Sequence, residues 1–231
     1  MISSIFIIYS HNGYVDLQLG YIFLIIFSLI YFLITEKENY FFYPKMIFLG
    51  LGYSLMIKNE ALPFALVSVF VLLVFSFLNL GILNFFKKYL FYFSIFLPFF
   101  YWEFYRRTNL IPSFLDGNLI PIKENLTRLK VTFNYFLIEY FNTYKYGLNL
   151  IIATLLIIFF GTILLYKGKI KKLLPLLLIL FFQIISYFYV FLITPFPYLI
   201  QLESSLERIF LHFIPLIYFL AIVFVFRTIE N

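Results

Sequence analysis

The sequence predicts an all-α protein: a polytopic transmembrane helix bundle of about seven spans, with one interfacial amphipathic helix, forming a single domain over residues 1–231. Three observations predict it. The 231 residues are 64% hydrophobic and only 12% charged, where a soluble domain carries about a quarter charged residues. Apolar runs of about 18 residues or more, long enough to cross a bilayer, recur along the chain. The polar residues between them are gathered into short clusters.

The same composition excludes several classes. Cysteine is absent, so there are no disulfides and no thiolate metal sites. The net charge of +6 is no sign of nucleic-acid binding, because basic residues collect in the cytoplasmic loops of any polytopic chain. No Walker loop, dinucleotide fingerprint, nucleophile elbow or catalytic triad is present. The Phe, Ile, Tyr, Lys and Asn bias fits an AT-rich, bacterial genome and hence an inner (plasma) membrane.

In chain order, Met1–Ser10 is too short to span and lacks the marks of a signal peptide. It reads as the tail of a helix or an interfacial turn, broken by His11, Asn12 and Gly13. The first full span is Val15–Thr35. A polar segment, Glu36–Lys45, precedes the second span, Pro44–Ile57, which at about 21 Å is short for a 30 Å core. Lys58-Asn59-Glu60 then marks a tight reversal into the third span, Ala61–Phe86, with Pro63 in its first turn. The fourth runs from Tyr89 to Tyr105 and ends among Trp102, Glu103, Arg106 and Arg107.

Arg106–Tyr146 is the one long hydrophilic segment. Its second half carries Leu126, Leu129, Phe133, Phe136, Leu137, Tyr140, Phe141 and Tyr144 on a single helical stripe. Two readings fit: a helix lying in the interface plane, or one packed on the bundle. Asn125-Leu-Thr127 matches a glycosylation sequon, a weak pattern. The fifth and sixth spans are Leu148–Tyr166 and Leu173–Ile193, and the seventh is Ile209–Phe226. Placing Glu36–Lys45, Lys87-Lys88, Lys167–Lys172 and Arg227 together gathers nine of the seventeen Lys and Arg residues on one side, the cytoplasmic one. The remaining polar clusters, His11–Asp16, Lys58–Glu60, Glu103–Lys145 and Thr194–Arg208, then share the outer face.

The stretch Thr194–Pro215 draws most attention. It sets Tyr198, Gln201, Glu203, Ser204, Ser205, Glu207, Arg208 and His212 against apolar runs. A charge near the middle of a bilayer costs about 2.5–3.5 kcal/mol, so such residues usually face water, a partner or a ligand. The plain alternative is a loop with Ser204 capping the last helix and Glu207 and Arg208 wetted at the interface. Lys58, just before a helix start, suits an anion such as phosphate; alternatively it snorkels to headgroups while Glu60 offsets the helix dipole. Arg208 can clamp a phosphate bidentately or pair with Glu203 or another segment. Arg106 and Arg107 are interface anchors or ligand contacts. Asp16 is a favourable acid at a helix start. His11 and His212 are lone histidines without metal-ligand spacing.

Three stretches carry a resemblance. His11-Asn-Gly-Tyr-Val-Asp16-Leu-Gln-Leu, Ile57-Lys58-Asn59-Glu60-Ala61-Leu62-Pro63 and Tyr198 through Pro215 resemble, in order and spacing, segments of the GT-C superfamily of polytopic glycosyltransferases, which includes protein O-mannosyltransferases and aminoarabinose transferases. The resemblance implies transfer of a sugar from a polyprenyl-phosphate-linked donor to a glycan, lipid or protein acceptor at the outer face. It implies that Lys58 and Arg208 lie near the donor phosphate, with Glu60, Ser205, Asp16, Tyr198 and Arg106 shaping the pocket. A divalent metal in the complete enzyme is compatible with it, and no nucleic acid is. Ala61 stands where the family has glycine, and Gln201 where it has tryptophan or histidine. The resemblance implies that the chain corresponds to the C-terminal part of a family member, whose first helix, first outer loop and acidic pair lie upstream. Then it is a fragment, a partner supplies the acid, or it is inactive alone, and the catalytic base is unassigned among Glu103, Asp116 and Asp16. Two other classes fit the composition: a transporter or flippase for an anionic substrate, and a non-catalytic membrane scaffold.

Overall fold

The computed structural model describes residues 15–36, 42–80, 92–109, 122–142, 146, 148–193 and 198–230. Among them the structure is helical, without strands. Helix α1 is Val15–Thr35, α2 Phe42–Ile57, α3 Leu62–Leu80, α4 Leu97–Thr108, α5 Ile122–Tyr140, α6 Asn149–Tyr166, α7 Leu174–Ile193 and α8 Tyr198–Ile229. Four of these, α1, α6, α7 and α8, are long and apolar enough to cross a membrane; α2 and the apolar part of α3 are shorter. The expected fourth span falls partly outside the described residues. Its described part is a short 3-10 turn, Ser94–Phe96, followed by the 12-residue α4.

Helix α8 is the centre of the bundle: 72% of its apolar window is buried, against 17% for α6. Beside it runs α1, parallel and in register. His212 meets Asp16 at one end and Arg227 meets Tyr31 at the other, both pairs 196 residues apart in sequence. Two glycines make room where larger residues could not, Gly20 for the backbone of α8 and Gly161, on α6, for a side chain of α8, the usual device for helices that lipid alone would not drive together. A Cβ on Gly20 would stand 2.4 Å from the Leu211 carbonyl oxygen, and one on Gly161 2.9 Å from the Phe224 ring. Leu211 lies four residues before Pro215, which has no N–H to give its carbonyl the usual helical bond. The backbone oxygen freed by the proline is therefore the group that Gly20 admits.

Helix α2 packs on α1 and α3 on α7, around Phe23, Phe27, Phe48, Phe64 and Leu176. A second apolar cluster joins α5, α6, α7 and α8 through Phe136, Leu150, Phe191 and Phe210. Here the amphipathic α5 is held by Phe136, stacked on Phe188 with ring centroids 4.0 Å apart. Its Phe133, Leu137 and Ile138 remain exposed. Of the two readings of this segment, packing on the bundle describes the Phe136 side.

The Thr194–Pro215 stretch departs most from expectation. The last helix begins eleven residues before the expected Ile209, at Tyr198, and runs unbroken through the polar segment. Ser204 is thus inside a helix, not at its N-cap. The reason is a buried stripe, Leu202, Leu206, Ile209, Phe210 and Phe213, whose helical spacing continues the apolar face outward beneath the polar residues.

Candidate functional site

The site lies where α1 begins, α2 turns into α3, and the first third of α8 passes. The reversal expected at Lys58–Glu60 is present: α2 stops at Ile57, a 3-10 turn covers Asn59–Ala61, and α3 starts at Leu62. The Lys58 carbonyl accepts the Ala61 N–H at 3.0 Å, which holds the turn closed.

Asp16 is the hub. Its side chain is 2% exposed, and Lys58 Nζ donates to Oδ1 at 2.6 Å. Lys58 also pairs with Glu60. His212, fully buried, brings Nε2 to 3.3 Å from Asp16 Oδ1 and Nδ1 to 2.8 Å from the Tyr187 hydroxyl. An ionised carboxylate only accepts, so Nε2 is the donor toward Asp16, while the Tyr187 hydroxyl lies between His212 Nδ1 and, at 3.5 Å, the Glu60 backbone carbonyl. Tyr187 on α7, His212 on α8 and Asp16 on α1 thus form one buried chain across three helices.

Arg208 stands one turn before His212 and is 28% exposed. Its Nη1 is 3.8 Å from Asp16 Oδ2, its Nη2 donates to Ser205 Oγ at 3.3 Å, and its Nε has no partner among the described residues. A guanidinium carries five N–H donors, so most of this one remains unspent. Glu203, the partner considered for it within the same helix, instead accepts from the Tyr135 hydroxyl at 3.3 Å. The cluster has a dry floor of Asp16, His212 and Tyr187, and a rim of Lys58, Glu60 and Arg208 that reaches solvent. Its two carboxylates and two fixed cations balance.

Four of the expected site residues, Asp16, Lys58, Glu60 and Arg208, therefore meet directly, with Ser205 bound to Arg208. Arg106 does not join them; it is buried against Glu103 one turn back on α4, at 2.9 Å. Tyr198 is the first residue of α8, its side chain outside the described set, as are His11 to Tyr14 of the first motif. Tyr187 carries no sequence signal, and His212 reads in sequence as a lone histidine without metal-ligand spacing; the structure gives it a partner, Asp16, 196 positions away. Asp16, Glu60 and His212 offer ligand atoms within 4.8 Å of one another, a spacing a divalent ion could bridge. The Lys58 ammonium lies against both carboxylates, so the cation of the site as it stands is the lysine.

One turn before Tyr187, Gln183 is fully buried; its amide faces the Tyr187 hydroxyl, yet neither amide atom makes a hydrogen bond of full geometry among the described residues. An unpaired buried amide costs about 1–3 kcal/mol, so Gln183→Leu is expected to raise stability by about that amount. Reversible unfolding in mixed micelles measures it, and a loss of stability would show that the amide is hydrogen-bonded after all.

Fold and site together define a helical protein with four helices apt to cross a membrane and a buried ionic cluster at one end of the bundle. No family model matches the chain, and neither a curated protein nor a solved structure does.

Proposed function

We propose that the chain is a membrane glycosyltransferase of the GT-C type, which takes a sugar from a polyprenyl-phosphate-linked donor at the outer face of a bacterial inner membrane and passes it to a glycan, lipid or protein acceptor. The observation that supports this is the meeting of three sequence-distant stretches. Asp16 of the first, Lys58 and Glu60 of the second, and Ser205, Arg208 and His212 of the third share one contact network.

In this reading the acceptor hydroxyl oxygen attacks the anomeric carbon, its proton passes to a carboxylate base, and the C–O bond to the lipid phosphate breaks with its electron pair leaving on phosphate. Charge builds on that leaving group, and preorganised cations there lower the barrier. Arg208 is the residue best suited to the task, being partly open to solvent and having N–H groups to spare among the described residues. Lys58 contributes a second positive charge at the rim, and Asp16, anchored by His212 and Tyr187, holds both in place. The seven-span topology, with α2, α3 and the 89–105 segment crossing as well, belongs to the same proposal.

The test is binding of a polyprenyl phosphate and of the polyprenyl alcohol of equal length to the protein in lipid nanodiscs. The phosphate is expected to bind at least tenfold more tightly, and Arg208→Ala to remove about 10–100-fold of that affinity, the worth of a charged hydrogen bond. Equal binding of phosphate and alcohol, or an unchanged Arg208→Ala, would end the reading.

A further inference from the structure

At the opposite end of the bundle from the Asp16 cluster, we infer a second anion site, a seat for the phosphodiester headgroup of an anionic membrane lipid. A cavity of about 430 Å³ is lined there by Thr35, Lys169, Lys171, Lys172, Leu173 and Arg227. Thr35 ends α1, Arg227 stands in the last turn of α8, and the lysines join α6 to α7, so the cavity opens where three membrane-crossing helices end together.

The connection is a built turn. Gly168 has φ +68°, its N–H bonds to the Leu165 carbonyl at 3.0 Å, and the Lys169 N–H bonds to the Leu164 carbonyl at 2.9 Å. That pair of bonds is the Schellman termination of a helix, and it favours glycine at the left-handed position. A 3-10 turn, Ile170–Lys172, then leads straight into α7. Three lysines are thereby carried on a short, hydrogen-bonded frame over an apolar floor of Leu164 and Leu173.

Arg227 is placed just as firmly: Nε donates to the Tyr31 hydroxyl at 2.8 Å, and the guanidinium lies 5.4 Å from the same ring. Glu230, one turn on, approaches it at 3.7 Å. Glu36 is taken up by Tyr43. Lys169, Lys171 and Lys172 form no ion pair among the described residues. The Thr35 hydroxyl is spent on the Tyr31 carbonyl at 2.9 Å, so the four cations supply the attraction. Like charges converging on a low-dielectric concavity focus their field on an anion. Basic pockets between transmembrane helices take lipid headgroups for this reason. The location at the helix ends selects a lipid phosphate over a free one.

The experiment compares binding of phosphatidylglycerol and phosphatidylcholine to the purified protein by native mass spectrometry and by titration in detergent. The anionic lipid is expected to bind with one preferred site. The triple variant K169Q/K171Q/K172Q is expected to bind it roughly 100-fold more weakly, each basic residue near an anionic surface contributing several-fold. Gly168→Ala keeps every charge but strains the turn, and is expected to weaken binding several-fold. Wild-type affinity in the triple variant, or in Gly168→Ala, would overturn the proposal. Equally tight capture of inorganic phosphate at millimolar concentration would reassign the seat to a soluble anion and overturn the lipid.

Discussion

Asp16→Asn is expected to destabilise the protein by about 3 kcal/mol, because the substitution leaves buried cationic and polar partners without their counter-charge. The carboxylate is almost fully enclosed and faces Lys58, Arg208 and His212 at once. Removing one member of a buried ionic network typically costs 3–5 kcal/mol, since the remaining charges stay desolvated. The lower end applies here, because Lys58 is 25% exposed and keeps Glu60 as a partner. Lys58→Met in the same background should recover part of the loss, with a coupling energy of about 1–3 kcal/mol. Steric-trap or denaturant unfolding in micelles reads both. A single variant within 0.5 kcal/mol of wild type would mean that water already serves the cluster and Asp16 is no hub.

The second large effect is expected at Gly20. Alanine is the better helix former by about 1 kcal/mol, yet Gly20→Ala should lower stability by about 1–2 kcal/mol net. Its Cβ would meet a backbone oxygen at 2.4 Å, and backbone cannot turn aside as a side chain can. The two central helices would have to part at the level where Asp16 reaches His212, so the polyprenyl-phosphate affinity should fall with the stability. Gly50→Ala is the control. Its Cβ meets side chain rather than backbone, Ile26 Cγ1 at 2.9 Å and Cδ1 at 3.2 Å, and should cost less because a side chain can shift where a backbone oxygen cannot. Equal effects at the two glycines would refute the close α1–α8 approach as the special feature.

Both expectations concern contacts that no local pattern reveals. The helical class, the span Val15–Thr35, the reversal at Lys58–Glu60 and the apolar runs of α6 and α7 were legible because bilayer-crossing helices must satisfy their backbones internally and carry long apolar sequence. The extent of α8 was not: its polar residues suggested a loop, while the stripe from Leu202 to Phe213 kept the helix going. Arg106 shares the charge and expected face of Arg208 and reads in sequence as an interface anchor or a ligand contact. Its neighbour Glu103 lies one turn away on the same helix and claims it.

By itself, the sequence determined what the chain is made to live in and which polar residues had to be accounted for, since apolar length and the cost of buried charge are local properties. Only the tertiary structure decided that Asp16, Lys58, Arg208, His212 and Tyr187 would answer one another. Their union depends on two helices distant in the chain lying parallel, in register and close enough to touch, a geometry that Gly20 permits and Pro215 shapes through the carbonyl it leaves free.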